Sequence, residues 1–212
     1  MMTPTRPRTS GPAAALAVAL LLMIAAACGS NPTAPTTTAP AGFTVMSSAK
    51  DGYALAVPSD WTPVPLSINP AVFDKTANSL RLANPKLASI LNQARVLGQS
   101  GGVFMAVTPD GTGNVNLTVD KPKEKTVDQI VANTIAGLKN LDATDIAQEP
   151  ATLAGKPAVK LTFRIPNDTD AGRVVNDVVQ YHLLQNKKAY ILSVSAVPTP
   201  VGNAIADSLR LS

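Results

Sequence analysis

Cysteine is almost absent from this sequence of 212 residues, which contains only Cys28. A single cysteine cannot form a disulfide within the chain, so a folded domain must be stabilised by a hydrophobic core instead. Hydrophobic residues make up 45% of the chain, which is enough to build such a core. Domains usually span about 100–200 residues, and residues 43–212 fit one domain of that size.

Histidine is equally scarce, since His182 is the only one. A catalytic zinc site usually takes three protein ligands, and one histidine cannot supply a typical set. A Ser–His–Asp arrangement would also have to use His182, which lies among alternating residues of a predicted strand and is typical of a structural histidine. We therefore expect no enzyme, no catalytic residues, no metal and no cofactor, and no nucleophile elbow of the hydrolase type.

Charged residues make up only 15% of the chain and aromatic residues only 4%. The basic residues form no dense cluster except Lys121, Lys123 and Lys125, which lie beside Asp120 and Glu124. Nucleic-acid binding needs a denser basic face, usually with aromatic side chains, so we exclude that class. The few aromatic residues predict a core that is mainly aliphatic.

What the sequence does contain is an unbroken apolar run over residues 13–27, preceded by Arg6 and Arg8 and followed by Cys28. The run is shorter than the about 20 residues of a membrane-spanning helix. A basic segment followed by an apolar run of this length is typical of a secretory signal. Without Arg6 and Arg8 the formal net charge falls from +4 to +2.

The residues before Cys28 resemble a bacterial lipobox, Ala25-Ala26-Ala27-Cys28, although Leu or Val is commoner at the first position. The resemblance implies that residues 1–27 are removed, that the Cys28 thiol carries acyl chains such as palmitate, and that the protein is anchored to the extracytoplasmic face of the cell membrane. An ordinary cleaved signal that leaves a free thiol is the alternative. Thr and Pro dominate residues 28–42, which predicts a disordered tether.

The periodicity of residues 43–212 predicts an α+β domain. Apolar residues alternate with small or polar ones in several segments, and Gly, Pro, Asn and Asp separate these segments. The predicted strands are 53–57, 103–108, 115–119, 146–153, 157–165, 174–185 and 189–197. Helices are predicted to start at Asn69-Pro70, at Asn84-Pro85, after Thr126 and at Pro198. Strands joined by short turns imply an antiparallel sheet, flanked by the helices in a sandwich.

This order of segments resembles the PsbP-like (Mog/PsbP) superfamily, and within it the LpqN/LpqT lipoproteins of mycobacteria and other actinobacteria. The segments that carry the resemblance are 53–58 with Trp61, 153–158, Gln180, 190–193 and 206–209. The resemblance implies an α/β/α sandwich without an active site. Members of the family bind proteins or lipids and assist larger complexes, and mycobacterial members are associated with envelope lipid export and host interaction.

The helical segment at about 67–102 is longer than the resemblance requires, and we regard it as an insertion. Its apolar residues either cover the sheet or wall a pocket for acyl chains, and covering is the simpler interpretation. If a ligand binds, the candidate residues are Trp61, Leu87, Ile90 and Leu91. Trp61 is a candidate because an amphipathic ring suits the rim of an apolar groove, although a lone tryptophan is more often part of a core.

The sequence thus predicts a membrane-anchored, non-enzymatic lipoprotein of the cell envelope. We expect a binding or accessory module whose partner is an envelope lipid or a membrane transporter assembly. An envelope hydrolase with an unrecognised site and a surface antigen without a ligand remain the alternatives. A cleft holding His182 beside a carboxylate and a hydroxyl would favour the hydrolase.

Overall fold

The computed structural model of the protein describes residues 33–64, 66, 69–83, 87–169 and 172–212. The predicted signal and Cys28 lie outside the described residues, as does the predicted helix start at Asn84-Pro85. The elements within the described part are, in chain order, β1 (Phe43–Ser48), β2 (Tyr53–Pro58), β3 (Thr62–Pro63), α1 (Pro70–Ala83), α2 (Ala88–Gln99), β4 (Gly102–Val107), β5 (Asn114–Asp120), α3 (Val127–Lys139), β6 (Thr144–Leu153), β7 (Lys156–Thr169), β8 (Gly172–Gln185), β9 (Lys188–Ser195), α4 (Thr199–Ser208) and β10 (Arg210–Leu211).

Seven of these strands form one sheet in the order β3-β4-β5-β9-β8-β7-β6, and every neighbouring pair is antiparallel. The other three form a smaller antiparallel sheet in the order β1-β2-β10. β4 and β5, β6 and β7, β7 and β8, and β8 and β9 are consecutive in the chain and antiparallel, so each pair is a hairpin. The predicted α+β class with antiparallel strands and flanking helices is confirmed.

One face of the larger sheet packs against the smaller sheet and α4. Leu55 of β2 and Ile205 of α4 are fully buried there, in one cluster with Leu117 of β5 and Leu192 of β9. Most buried residues of this cluster are aliphatic, as expected, and the few aromatic residues of the chain are concentrated in it. Its aromatic members are Tyr53, Trp61, Phe104, Tyr181 and Tyr190.

The opposite face of the larger sheet is the helix face, which α1, α2 and α3 cover in two separate places. Alternate residues of a strand point to opposite faces, so Met105 and Val107 of β4 face α1 and α2, while Phe104 faces the other core. At the far side of the sheet, Leu161 of β7 packs against Val131 of α3. The central strands β5, β9 and β8 therefore lie between the two helical layers.

The structure differs from the predicted elements mainly where strands are short. The smaller sheet was not expected, because β10 has two residues and β1 precedes the first predicted strand. Helix α1 begins at the predicted start, Pro70, and runs over 14 residues. Helix α2 continues through Gly98, and the chain turns only at Gly101, whose φ of 87° favours glycine.

The described part of the predicted tether lies against the domain. Residues 33–40 form no helix or strand. The Thr37 hydroxyl donates a 2.6 Å hydrogen bond to the carbonyl oxygen of Ser208 at the end of α4. The compact unit that contains both sheets accordingly begins at Ala34.

Helix α3 begins at the predicted N-cap, and the cap can be tested. The Thr126 hydroxyl accepts a hydrogen bond from the Gln129 N–H at 3.3 Å, and the Gln129 side chain accepts one from the Lys125 N–H at 3.0 Å. We predict that Thr126→Ala lowers the free energy of unfolding by about 1 kcal/mol, because the alanine leaves a first-turn N–H without its acceptor. Urea unfolding followed by circular dichroism measures the change.

Two substitutions provide controls for the cap. Thr126→Ser keeps the acceptor and should remain within about 0.5 kcal/mol of the parent protein. Thr134→Ala, in the middle of the same helix, removes only a hydroxyl that bonds back to the Ile130 carbonyl and should not destabilise α3. Equal losses for Thr126→Ala and Thr126→Ser would show that the cap hydrogen bond does not contribute.

Candidate functional site

Polar side chains occupy the centre of the helix face, between the two helical layers. Asn116 of β5 is opposite Met105, which α2 covers, and Gln180 of β8 is opposite Leu161, which α3 covers. Between these two, Ser193 of β9 pairs with both Asn116 and Gln180. We call this set the polar strip; its members are Asn114, Asn116, Gln180, His182, Ser193 and Ser195.

Hydrogen bonds within the polar strip orient its side chains. The Gln180 amide Nε2 donates to the Ser193 hydroxyl at 3.1 Å, and its Oε1 lies 3.2 Å from His182 Nε2. With the amide in this orientation, Nε2 of His182 carries the hydrogen and donates it to Gln180. Nδ1 is then a lone-pair acceptor, and it is buried with no hydrogen-bond partner among the described residues.

His182 is uncharged near neutral pH. Its side chain is only 1% exposed, and this burial lowers the pKa of His182 to about 4. Burial acts in this direction because a low-dielectric surrounding disfavours the protonated ring. The contacts of His182 in the described structure are with an amide and not with a carboxylate, so the arrangement that would favour a hydrolase is not formed here.

A groove of about 330 Å³ opens at one end of the polar strip. It lies between α2, the β4–β5 turn, the end of β9 and the strands β7 and β8. We call it the amide groove, because four of its lining side chains are carboxamides: Gln93, Asn114, Asn167 and Asn176. The apolar part of the lining comes from Ile90, Val174 and Ala196, and none of the described residues that line the groove is charged.

The β4–β5 turn fixes one wall of the amide groove. Asp110 accepts hydrogen bonds from the Thr108 hydroxyl at 2.6 Å and from the Thr112 N–H at 3.1 Å. The bond from the Thr108 hydroxyl, followed by those from Thr112, lowers the pKa of Asp110 to about 2. Gly113 ends the turn close to β9, where a Cβ atom would lie 2.6 Å from the Ala196 carbonyl oxygen. Glycine at this position therefore allows β9 to end beside the groove.

The structure separates the residues that the sequence marked as candidate ligand contacts. Trp61 is buried in the core on the opposite face of the sheet. Leu87, Ile90 and Leu91 belong to the core beneath α1 and α2, and only Ile90 also lines the amide groove. A ligand role for Trp61, Leu87 and Leu91 stays a prediction, whereas Ile90 is placed where a ligand could contact it.

The carboxamides of the amide groove were missed by the sequence analysis. A signal for one of them is present in β5, where Asn114, Asn116 and Thr118 alternate with buried apolar residues. Buried polar residues on a central strand need partners, so this alternation marks the face that is not fully covered by helices.

The segment from Gly98 to Gly102 matches the pattern Gly-x-Ser-x-Gly, which makes Ser100 a formal candidate nucleophile. In hydrolases this pattern forms a sharp turn from a strand into a helix. Here Ser100 follows the end of α2 and leads into β4, the reverse order, and its hydroxyl donates to the Val96 carbonyl at 2.9 Å. The geometry is that of a helix C-terminus and not of a nucleophile elbow.

None of the described helices is both long and apolar enough to cross a membrane. No group of three or more His, Cys, Asp or Glu side chains in the described part is arranged to hold a metal ion.

Comparisons with known proteins give likenesses of fold at low similarity. No family model and no curated protein sequence matches the chain. The chain is similar to a protein of Bacteroides thetaiotaomicron VPI-5482, with a TM-score of 0.42 and 12% identity over 76% of this chain, and it spans 45% of that protein. It is also similar to LpqN of Mycobacterium tuberculosis, a protein involved in cell envelope biogenesis, with a TM-score of 0.36 and 10% identity over 84% of this chain and 82% of LpqN. No functional conclusion follows from similarities at this level.

The burial of His182 predicts a loss of stability in mild acid. Because the pKa is about 4 in the folded protein and about 6.5 in the unfolded chain, the unfolded chain binds the proton more readily between these values. The contribution of uncharged His182 to the free energy of unfolding is therefore fully present above about pH 6.5, and it is lost as the pH decreases towards about 4. We predict that His182 contributes a loss of about 2 kcal/mol between pH 7 and pH 5, measured by urea unfolding.

His182→Gln is the matched control, since glutamine is uncharged at both pH values. Carboxylates titrate in both proteins, so the difference in pH dependence between parent and variant isolates the histidine. Equal pH dependence in the two proteins would contradict the buried, uncharged histidine.

Proposed function

We propose that this protein is a membrane-anchored, non-enzymatic accessory module of the cell envelope, whose amide groove binds a protein partner. The proposed anchor is a lipid on Cys28, supported by the basic segment, the apolar run over 13–27 and the lipobox-like residues before the cysteine. The proposed localisation is the extracytoplasmic face of the membrane, which follows from the same residues.

The observation that carries the binding role is an uncharged amide groove on a sheet whose single histidine is buried. Carboxamides donate and accept hydrogen bonds without changing charge, so they suit recognition and not proton transfer. General acid–base catalysis needs a group that titrates near the working pH, and the pKa of His182 lies at about 4. These features favour binding over the hydrolase alternative.

A protein partner is favoured over an acyl chain because of how the helix face is filled. The space between α1, α2 and β4 is occupied by buried side chains, including Phe73, Leu87, Leu91 and Met105. Helices α1 and α2 therefore cover the sheet at β4. The amide groove next to it presents amide groups as well as apolar atoms, a surface that suits a polar chain better than an alkyl chain.

The proposed anchor gives a direct prediction. Cys28→Ala should move the protein from the membrane fraction to the soluble fraction after high-salt and carbonate washes, because it removes the thiol that carries the lipid. The intact mass of the parent protein should exceed that of the chain from Cys28 onward by the mass of its acyl groups. Thermal unfolding should be unchanged, since the cores of the described domain are built from residues 53–209.

Ser30→Ala is the control for this experiment, as it alters a neighbouring residue and keeps the thiol. It should remain in the membrane fraction. Retention of Cys28→Ala in carbonate-washed membranes, or an unmodified Cys28 in the parent protein, would overturn the anchor.

A further inference from the structure

Strand β8 extends well beyond the strand that pairs with it on one side. β8 has 14 residues and β9 has 8, and the last residue pair between them joins Val178 to Ser195. Just beyond it, the Ala196 N–H donates to the Asp177 carbonyl at 2.9 Å. The chain then leaves the sheet at Ala196, whose φ is 52°.

Beyond this point β7 and β8 continue as a two-stranded arm, with residue pairs up to Thr169 and Gly172. In an antiparallel strand the N–H and C=O groups of alternate residues point to opposite neighbours. Because the Asp177 carbonyl accepts its hydrogen bond from Ala196, directly after β9, the backbone groups of Val175 and Arg173 point to the side of β9. β9 has already ended there, and no other described strand pairs with this edge of β8.

The other exposed edges of the larger sheet carry proline, which cannot donate a backbone hydrogen bond. Pro63 lies in the edge strand β3, and Pro150 lies in the edge strand β6. On the arm itself, Pro166 of β7 is directly opposite Val175, so its nitrogen lies on the outer edge of β7. Proteins commonly place proline at strand edges to prevent pairing with other chains. The residue on the β8 edge opposite Pro166 is Val175, which keeps its backbone N–H.

The β8 edge also borders the amide groove, through Val174 and Asn176. Val174 and Val175 are 41% and 52% exposed, so the arm presents apolar side chains on both of its faces. A chain that pairs with β8 would direct every second side chain towards the groove, since strand side chains alternate. The described residues that line the groove carry no charge, so these side chains should be small or polar and uncharged.

We propose that the edge of β8 at Arg173 and Val175 binds an extended, uncharged peptide segment of a partner protein by strand addition, continuing the position of β9. This inference rests on the proposed binding role and names the surface and the chemistry of the partner. The partner's main chain pairs with β8, and its alternate side chains contact the amide groove. Recognition of this kind takes its affinity from main-chain hydrogen bonds and its specificity from the side-chain pockets.

The test uses the purified full chain and fluorescein-labelled hexapeptides, acetylated and amidated, composed of Val, Thr, Ser and Asn. Fluorescence anisotropy measures their binding. We expect that members of this set bind, and that N-methylation of the alternate peptide N–H groups that face β8 weakens binding at least tenfold. N-methylation of the other alternate set should have a smaller effect, since those groups face away from β8.

Val175→Pro is the matched protein variant, because it removes one outward N–H while leaving the β7–β8 hydrogen bonds, whose donors are at Val174 and Asn176. It should weaken binding at least tenfold with an unchanged unfolding midpoint, and Val175→Thr should bind like the parent. If Val175→Pro lowers the unfolding midpoint, N-methylation of the peptide still tests strand addition on the parent protein, because only one alternate set of peptide N–H groups faces β8. The proposal would be overturned if no peptide of the set binds at millimolar concentration. It would also be overturned if neither Val175→Pro nor N-methylation of the peptide weakens binding.

These experiments distinguish a failure of strand addition at β8 from a failure of the proposed function. Peptide binding that ignores Val175→Pro would place the partner elsewhere and leave the accessory role standing. Strand addition by a protein whose Cys28 carries no lipid would support the binding surface and overturn the membrane anchor.

Discussion

The difference in length between β8 and β9 is the constraint on which the candidate site depends. β9 cannot continue alongside β8, because the chain must turn at Ala196 to bring α4 back over the opposite face of the sheet. Gly202 of α4 then lies so close to β9 that an added Cβ atom would be 3.3 Å from Val194. The same turn that completes one core therefore leaves β8 at Arg173 and Val175 beyond the end of β9 and opens the amide groove beside them.

The two faces of the larger sheet differ in how they are covered. One face is closed by apolar side chains from the smaller sheet and α4, with Leu55, Leu117 and Leu192 fully buried. The helix face is covered only at its two sides, and its centre is polar. Ion pairs such as Lys160–Glu149, at 2.8 Å, lie towards the exposed edge of the sheet, where such pairs contribute little to stability. The fold thus depends on apolar packing, and the candidate site consists mainly of neutral hydrogen-bonding groups.

The sequence predicted the parts of the fold that rest on strong local patterns. The long strands, the hairpins and the α3 cap at Thr126 were recognisable because alternation, turn residues and a capping hydroxyl each act over a few neighbouring residues. β3 and β10 were not, because two-residue strands are stabilised by pairing with distant segments. The amide groove was missed for the same reason: Gln93, Asn114 and Asn176 come together only when α2, β5 and β8 are assembled.

Amide hydrogen exchange of the full chain tests, residue by residue, whether the β8 edge at Val175 is unpaired in the free protein. We predict fast exchange for the Arg173 and Val175 amides. We predict slow exchange for Val174, which bonds to β7, and for Val179, which bonds to β9. Exchange at Val175 as slow as at Val179 would mean that the edge already has a partner within the chain, and would rule out an open β8 edge.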